Sequence, residues 1–282
     1  MEINRVGVIG AGQMGAGIAQ VCASIGKFVT LCDVKEEFVH NGILTIKKNL
    51  ERSVLKGRIS QSEMDETLSR ISTSLLTADL KNSDIVIEAI IEDVDTKKAL
   101  FSDLGVVCKS RTILASNTSS IPIGILGEAS GRADKVVGMH FMNPVPVMKL
   151  VEVIRATETS DDTFDMTFKL AEDLHKVPVL VNDFPGFVSN RILLPMLNEA
   201  IFCVMEGVAE PEAIDTVMKL GMSHPMGPLA LADFIGLDTC LAIMKVLHKD
   251  LNDDKYRPCP LLEEKGKDGK LGKKSGEGFY KY

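Results

Sequence analysis

The sequence predicts an α/β fold, in which a largely parallel β-sheet with a helical-hairpin insertion is followed by an all-α C-terminal domain. Three observations lead to this prediction. Short β-branched runs alternate with helical patterns, a glycine-rich turn follows the first run, and long apolar helical stretches occupy the rest of the chain. The length of 282 residues suits about two domains. We expect these domains at residues 1–184 and 185–282.

The alternating pattern extends from Ile3 to Asn182 and indicates βαβ units. The predicted strands are Val6–Ile9, Phe28–Cys32, Asp84–Ile90, Thr112–Ser116, Val136–Met139, Lys149–Ile154 and Pro178–Val181. The segment Glu36–Arg70 is too long and too charged for one crossover helix. We therefore expect it to form a helical hairpin that projects from the sheet.

The pattern changes after Asp183-Phe184-Pro185-Gly186, where proline and glycine are expected to interrupt regular secondary structure. The helical stretches that follow are Val188–Glu206, Glu210–Leu220 and Leu229–Leu247, and we predict no further strand. The tail from Tyr256 is rich in lysine and glycine, but acidic residues lie between the lysines. We expect a packed, irregular tail and not a nucleic-acid-binding arm.

Composition excludes several classes of protein. Hydrophobic residues make up 45% and charged residues 25% of the chain, which is typical of a globular protein. A formal net charge of −7 argues against binding to nucleic acid or to an anionic membrane. The six cysteines are widely spaced, which indicates unpaired thiols in a reducing compartment. No signal peptide and no uncharged stretch of ~20 residues is evident, so we expect a cytoplasmic protein.

A glycine-rich turn lies between the first predicted strand and a helical pattern, as in the Rossmann-type dinucleotide-binding motif. Its glycines allow a sharp turn and a close approach of the backbone to a pyrophosphate, and the helix N-terminus supplies N–H donors. The candidate cofactor-binding residues of this turn are Gly10, Gly12, Gln13, Met14 and Gly15.

Asp33 follows the second predicted strand, where a carboxylate accepts hydrogen bonds from the adenosine ribose of a dinucleotide. Its negative charge would repel the 2′-phosphate of NADP, and no arginine stands beside it in the sequence. We therefore predict that the cofactor is NAD.

His140 closes a predicted strand, and the carboxyl ends of strands face the ligand crevice in an open α/β sheet. Three further polar groups belong to separate elements that we expect to converge there. Ser119 lies in the polar run after another strand, Glu152 on the strand after the turn at Pro144–Pro146, and Asn190 at the start of the second domain. A histidine takes up a proton at neutral pH, and a carboxylate fixes its tautomer. The pattern predicts an acid–base site.

The remaining histidines do not pair with each other or with acidic residues at the spacing of metal ligands. His40 and His248 lie in charged helical stretches, His175 near a helix end, and His224 before a proline-rich turn. We therefore expect no metal site.

The chain resembles the short-chain L-3-hydroxyacyl-CoA dehydrogenase family, and within it the bacterial 3-hydroxybutyryl-CoA dehydrogenases of butyrate metabolism. The resemblance covers essentially the whole length. The motifs that carry it are Val8–Gly15, Leu114–Ser120, Met139–Glu152, Phe184–Arg191, Pro225–Pro228 and Gly272–Tyr280. The glycine turn is shared with many dehydrogenases, whereas the motifs around His140 and Asn190 are specific.

This resemblance implies a role for each matching residue. His140 would be the general base, Glu152 would orient its imidazole, and Ser119 and Asn190 would contact the reacting oxygen of the substrate. The residues implied to line the nicotinamide half of the cofactor site are Glu92, Lys97 and Asn117. Lys56 on the hairpin would contact the phosphates of CoA, although Lys47 or Lys48 are alternatives.

The reaction implied is the reversible reduction of acetoacetyl-CoA to (S)-3-hydroxybutyryl-CoA, with NAD(H) as cofactor and an acyl-CoA as substrate. The resemblance also implies a homodimer formed through the C-terminal domain. One alternative is a dehydrogenase of a small hydroxyacid or sugar acid without CoA. Another is a non-catalytic protein that binds a dinucleotide, which would not need the set of His140, Glu152, Ser119 and Asn190.

Overall fold

The computed structural model describes residues 2–282 and divides the chain into two compact units. The first unit ends at Asp183 and contains a β-sheet covered by helices. The second unit, Phe184–Tyr282, is built from helices.

The strands of the first unit belong to one sheet. They are β1 (Arg5–Ile9), β2 (Phe28–Cys32), β3 (Ile71–Ser74), β4 (Ile85–Glu88), β5 (Ile113–Ser116), β6 (Val136–Phe141), β7 (Leu150–Arg155) and β8 (Val177–Asn182). Within residues 2–282 these eight strands have the order β3-β2-β1-β4-β5-β6-β7-β8. Neighbouring strands are parallel, except that β7 runs antiparallel to β6. The prediction of a largely parallel sheet is confirmed.

Strand β3 lies at one edge of the sheet and was absent from the sequence-based prediction. It pairs in parallel with β2, with Ile71 opposite Val29. Its sequence, Ile-Ser-Thr-Ser, has no apolar run, and its two central side chains are exposed. An edge strand that buries so little surface does not need the hydrophobic pattern by which strands are detected.

The helices of the first unit are α1 (Gln13–Ser24), α2 (Glu36–Leu55), α3 (Gln61–Ser69), α4 (Val94–Val107), α5 (Ile123–Ser130) and α6 (Asp161–Asp173). The predicted hairpin is confirmed as α2 and α3. Gly57 adopts a positive φ of 65° in the turn between them, and Ser60 begins α3 with a capping box to Glu63. Among residues 2–282, no helix has the length and apolar content needed to cross a membrane.

Strand β4 lies in the middle of the sheet and is buried along its length. A parallel sheet with helices on both faces requires such strands, and Ile85, Val86 and Ile87 supply the apolar side chains. Asp84 lies just before the strand, where its Oδ2 accepts hydrogen bonds from the amides of Asn4 and Arg5 at 3.0 and 2.9 Å. This carboxylate joins the start of β4 to the chain that enters β1.

The helices of the second unit are α7 (Ser189–Met205), α8 (Pro211–Gly221), α9 (Pro228–Ile235), α10 (Leu237–Leu251) and α11 (Pro260–Lys267). The prediction of one helical stretch over Leu229–Leu247 is wrong, because α9 ends and α10 begins on either side of Gly236. That glycine has a φ of 104°, which a helix does not permit.

The C-terminal tail packs against the second unit through two buried aspartates. Asp233 accepts hydrogen bonds from the amides of Phe279 and Tyr280, both at 2.9 Å. Asp215 accepts the hydroxyl of Tyr280 at 2.8 Å and also the amide of Leu229 at the start of α9. The expected packed tail is therefore found, although α11 gives it more regular structure than the sequence pattern predicts.

Candidate active site

Most candidate residues of the first unit lie at one edge of the sheet. Because β1, β2, β4, β5 and β6 are parallel, their carboxyl ends lie at the same edge, and β7 begins there because it runs in the opposite direction. The glycine turn follows β1, Asp33 follows β2, and Asn117 follows β5. His140 lies near the end of β6, and Glu152 near the start of β7.

Two glycines of the turn are required by the backbone itself. Gly10 has a φ of 97°, and a Cβ at this position would overlap the carbonyl oxygen of Ala89. A Cβ on Gly15 would overlap the carbonyl oxygen of Gly10. Any larger residue at either position would therefore force the turn away from β4 or α1.

Gly12 is different, because a Cβ there would meet no atom within 4 Å. It is the N-cap of α1 and offers no side chain to cap the N–H groups of the first turn. The positive end of the helix dipole therefore faces an open space lined by backbone donors, as a pyrophosphate requires. In this respect the residues present fit a dinucleotide. Gln13 is exposed and Met14 half-buried at the start of the same helix.

Asp33 fastens the glycine turn to the end of β2. Its Oδ2 accepts a hydrogen bond from the amide of Ala11 at 2.6 Å, and its Oδ1 accepts one from the amide of Val34 at 2.7 Å. Each carboxylate oxygen has two lone pairs, so these bonds leave acceptor capacity for ribose hydroxyls. The sequence suggests the ribose contact but gives no sign of the bond to Ala11.

His140 and Glu152 are direct cross-strand partners in the antiparallel pair of β6 and β7. Nδ1 of His140 lies 2.7 Å from Oε2 of Glu152, and both residues are buried, with relative exposures of 8% and 1%. An ionised carboxylate only accepts hydrogen bonds, so Nδ1 carries the proton and donates it. Nε2 is therefore the basic nitrogen of the neutral ring.

Two amide side chains position the loops around this pair. Oδ1 of Asn117 accepts a hydrogen bond from the amide of Phe141 at 2.9 Å, which ties the end of β5 to the residue after His140. Nε2 of Gln13 donates to Oδ1 of Asn143 at 3.0 Å, which joins the glycine turn to the turn after β6. Sequence reasoning did not single out Asn143, although it lies within the motif around His140.

Glu92 organises the polar segment that contains Ser119. Its Oε1 accepts hydrogen bonds from the amides of Ser119 and Ser120 at 2.8 and 3.1 Å, and from the hydroxyl of Thr118 at 2.5 Å. Burial raises the pKa of the Glu92 carboxyl, but the charge of Lys97 and the hydrogen bonds from Thr118 and Ser119 outweigh it, so that the pKa is lowered. Glu92 is consequently ionised at neutral pH.

Lys97 is only 1% exposed, although it lies on α4 in a stretch that reads as a solvated helix start. Its Nζ lies 2.6 Å from Oε1 of Glu88 and 3.1 Å from Oε2 of Glu92. Glu88 is the last residue of β4 and is completely buried. The sequence analysis includes Glu88 in an apolar strand and assigns it no role. A single glutamate within an apolar run is the feature that could have indicated a buried functional carboxylate.

Other residues near the glycine turn were also missed. Val34 and Ile91 follow β2 and β4, on either side of β1, and are 82% and 70% exposed. Apolar side chains exposed at strand ends can cover the flat face of an adenine ring. The feature of the sequence that could have indicated this role is an apolar residue, Val34, directly after Asp33.

Two residues implied by the family resemblance, Asn190 and Lys56, belong to helices and do not follow the strands named above. Asn190 is in the first turn of α7, in the second unit. Lys56 is the C-cap residue of α2 and is exposed. Residues 2–282 contain no group of three or more histidine, cysteine, aspartate or glutamate side chains arranged to hold a metal ion.

The sheet is largely parallel, and a glycine turn, a carboxylate at the end of β2 and a buried histidine–glutamate pair lie at one edge of it. This arrangement is that of an NAD-dependent dehydrogenase. Comparison with known families agrees. Residues 5–184 match the NAD binding domain of 3-hydroxyacyl-CoA dehydrogenase, and residues 186–282 match its C-terminal domain. The chain belongs to the 3-hydroxyacyl-CoA dehydrogenase family.

Individual relatives are similar over the full length. The chain is 58% identical to a probable 3-hydroxybutyryl-CoA dehydrogenase of Bacillus subtilis, over 100% of this chain and 98% of that protein. It is 48% identical to the crystal structure of (S)-3-hydroxybutyryl-CoA dehydrogenase from Ralstonia eutropha, with a TM-score of 0.97 and coverage of 100% and 99%. A diketoreductase that acts on dicarbonyl compounds is 29% identical, with a TM-score of 0.87 and complete coverage of both chains.

We expect Asp33→Ser to weaken NADH binding and to raise the relative use of NADPH. The substitution removes a carboxylate whose charge should favour ribose hydroxyls over a 2′-phosphate, and it removes the bond to Ala11. The measurement is kcat/KM for each cofactor at a fixed substrate concentration. If the wild-type protein uses NADPH better than NADH at equal concentration, the role assigned to Asp33 is wrong.

Proposed function

We propose that this enzyme transfers hydride reversibly between NAD(H) and C3 of a short-chain 3-hydroxyacyl-CoA, with (S)-3-hydroxybutyryl-CoA and acetoacetyl-CoA as the substrate pair. The observation that carries the proposal is the buried His140–Glu152 pair, which lies at the same edge of the sheet as the glycine turn. Relatives with this substrate in their names support the choice of acyl group.

The chemistry of His140 follows from its hydrogen bond. Because Nδ1 donates to Glu152, Nε2 accepts the proton of the substrate hydroxyl during oxidation. The ring then becomes an imidazolium, and the negative charge of Glu152 stabilises it. In the reducing direction, His140 returns this proton to the developing alkoxide.

NAD, when bound, supplies the hydride acceptor, and NADH supplies the donor. The residues that would hold it are those of the glycine turn and Asp33 at the adenosine half. Glu92, Lys97 and Asn117 would support the nicotinamide half. Val34 and Ile91 would cover the adenine ring.

Ser119 and Asn190 are the proposed ligands of the substrate oxygen on C3. A hydroxyl and an amide donate hydrogen bonds to this oxygen as its negative charge grows, which lowers the barrier of reduction. The bonds from the Ser119 and Ser120 amides to Glu92 support this assignment, because they fix the segment that presents Ser119.

The dehydrogenase of a non-CoA substrate remains the second candidate, because the similar diketoreductase acts on dicarbonyl compounds. The two candidates differ in their need for the CoA group. The deciding experiment measures NADH oxidation with acetoacetyl-CoA and with acetoacetate at equal concentrations. A higher kcat/KM for acetoacetate would reject the proposed substrate.

We assign the enzyme to short-chain fatty acid metabolism, including butyrate metabolism, in the reducing environment of the cytoplasm. The cysteine thiols support this environment. All six cysteines of the described residues are unpaired. Detection of the native enzyme in the periplasmic or membrane fraction of its host would contradict the assignment.

His140→Gln should lower kcat by roughly 10²–10⁴-fold, the usual range for loss of a general base, with little change in the Kd of NADH. Glu152→Gln should lose much of the same factor, because an amide bonds to the ring but does not offset the imidazolium charge. The double variant should be little worse than His140→Gln alone, because the two residues share one function. Steady-state kinetics with acetoacetyl-CoA measure all three variants.

Two results would contradict this interpretation of the pair. The first is near wild-type turnover of His140→Gln at neutral pH. The second is a double variant in which the two losses multiply fully. Circular dichroism and thermal unfolding of each variant verify that it is folded.

Lys56→Ala should raise the KM for acetoacetyl-CoA and make it less sensitive to salt, while the KM for NADH changes little. Lys56 would attract the phosphates of CoA, and salt screens such an attraction between exposed charges. Lys48→Ala on the same helix is the matched comparison. If Lys56→Ala leaves the KM for the acyl-CoA unchanged and Lys48→Ala or Lys47→Ala raises it, the contact belongs to that lysine.

Leu220→Glu should convert a homodimer to monomers, because we infer dimerisation through the second unit. Val217, Leu220 and Met222, on and just after α8, are 59%, 82% and 60% exposed, and a group of neighbouring exposed apolar side chains is typical of a protein–protein interface. Analytical ultracentrifugation measures the mass of both proteins, with Lys219→Glu as the control on the same helix. A monomeric wild-type protein would contradict the inference.

A further inference from the structure

We infer that Glu88 is a positioning residue for the reaction. Its buried carboxylate holds residues 118–120, the Ser119 segment, in place. The inference rests on the proposed function, because it assigns Ser119 to the substrate oxygen. Glu88 is the last residue of β4 and is completely buried. It acts through Lys97, Glu92 and Ser116.

The carboxylate of Glu88 uses both of its oxygens. Oε1 accepts hydrogen bonds from Nζ of Lys97 at 2.6 Å and from the amide of Ile90 at 2.7 Å. Oε2 accepts the hydroxyl of Ser116 at 2.6 Å. Glu88, Lys97 and Ser116 are each no more than 1% exposed, so these are charge-assisted bonds shielded from water.

Two routes lead from Glu88 to the Ser119 segment. In the first route, the Lys97 ammonium forms ion pairs with Glu88 and Glu92. Glu92 in turn accepts hydrogen bonds from the amides of Ser119 and Ser120. In the second, the Ser116 hydroxyl donates to Glu88 and accepts the amide of Thr118 at 3.1 Å. Three consecutive amides, at positions 118–120, are therefore held by groups that converge on one buried carboxylate.

The charges explain why this carboxylate is needed. A single ammonium lies between two carboxylates and is closer to Glu88 than to Glu92. If Glu88 were neutral, the full attraction of Lys97 would act on Glu92. Glu92 would move towards Lys97, and its bonds to the Ser119 and Ser120 amides would lengthen. Glu88 thus allows Glu92 to keep its hydrogen bonds to the amides of Ser119 and Ser120.

A purely structural buried carboxylate would have a different signature. Loss of its charge would lower thermal stability, but it would leave the kinetics of the folded enzyme unchanged. A positioning residue also lowers turnover, because misplacing a group that contacts the transition state reduces the rate. Asp84 provides the structural comparison, since it is buried at the opposite end of β4 and also accepts two hydrogen bonds at one oxygen.

The experiment compares Glu88→Gln with Asp84→Asn, both isosteric, in the full-length protein. We expect Glu88→Gln to reduce kcat with acetoacetyl-CoA by about 10- to 100-fold, with little change in the Kd of NADH. In a Glu92→Gln background, the same substitution should reduce kcat by no more than the loss of about three- to tenfold expected for the Ser116 route, because the route through Glu92 is already lost. Asp84→Asn should lower the melting temperature and leave kcat within about twofold.

Hydrogen–deuterium exchange gives a readout that does not depend on the substrate. Amide exchange of residues 118–120 should accelerate in Glu88→Gln and not in Asp84→Asn. If Glu88→Gln does not fold, Ser116→Ala tests the second route, with faster exchange at Thr118 and a loss in kcat of about three- to tenfold.

The possible failures are distinguishable. A wild-type protein inactive on acetoacetyl-CoA would reject the proposed function, while accelerated exchange in Glu88→Gln would still support the role of Glu88 in fixing the segment. Unchanged exchange and unchanged kcat in a folded Glu88→Gln would overturn the inference. Equal losses of kcat in Glu88→Gln and Asp84→Asn would overturn it as well, because they would indicate a general effect of destabilisation.

Discussion

The reversal of direction between β6 and β7 is the constraint on which the rest of the site depends. In this antiparallel pair His140 lies directly opposite Glu152, so that their side chains meet on one face of the sheet. A shift of the register by one residue would send Glu152 to the other face. Backbone pairing between two buried strands therefore fixes the histidine tautomer and leaves Nε2 as the basic nitrogen of the neutral ring.

Three carboxylates fix the other loops at this edge. Asp33 holds the glycine turn through Ala11, Glu92 holds the Ser119 segment, and Glu88 supports Glu92 through Lys97. Each carboxylate accepts hydrogen bonds from backbone amides in a loop that follows a strand. These hydrogen bonds fix the loops in place before any substrate binds, and preorganisation of polar groups is a general means of lowering a reaction barrier.

Much of this arrangement can be predicted from the sequence, for identifiable physical reasons. The buried parallel strands and the glycine turn have strong local patterns, and His140 and Glu152 belong to a distinctive motif. Edge strand β3 has no apolar run, and the break at Gly236 depends on one backbone angle. The burial of Lys97 was beyond prediction because an ion pair with two glutamates leaves no periodic signal in a sequence.

The two carboxylates at the ends of β4 also bear on how the chain avoids incorrect pairing as it folds. Ile85, Val86 and Ile87 are so alike that they would pack almost as well if the strand slid along β1. Asp84 and Glu88 are not interchangeable with them, because a slipped strand would bury two charges away from the amides and the ammonium that compensate them. A buried charge without its partner costs several kcal/mol, about 3–5 where one member of a pair is removed. The charges of Asp84 and Glu88 therefore favour the observed register of β4 over slipped ones, and one of the two, Glu88, also supports the site.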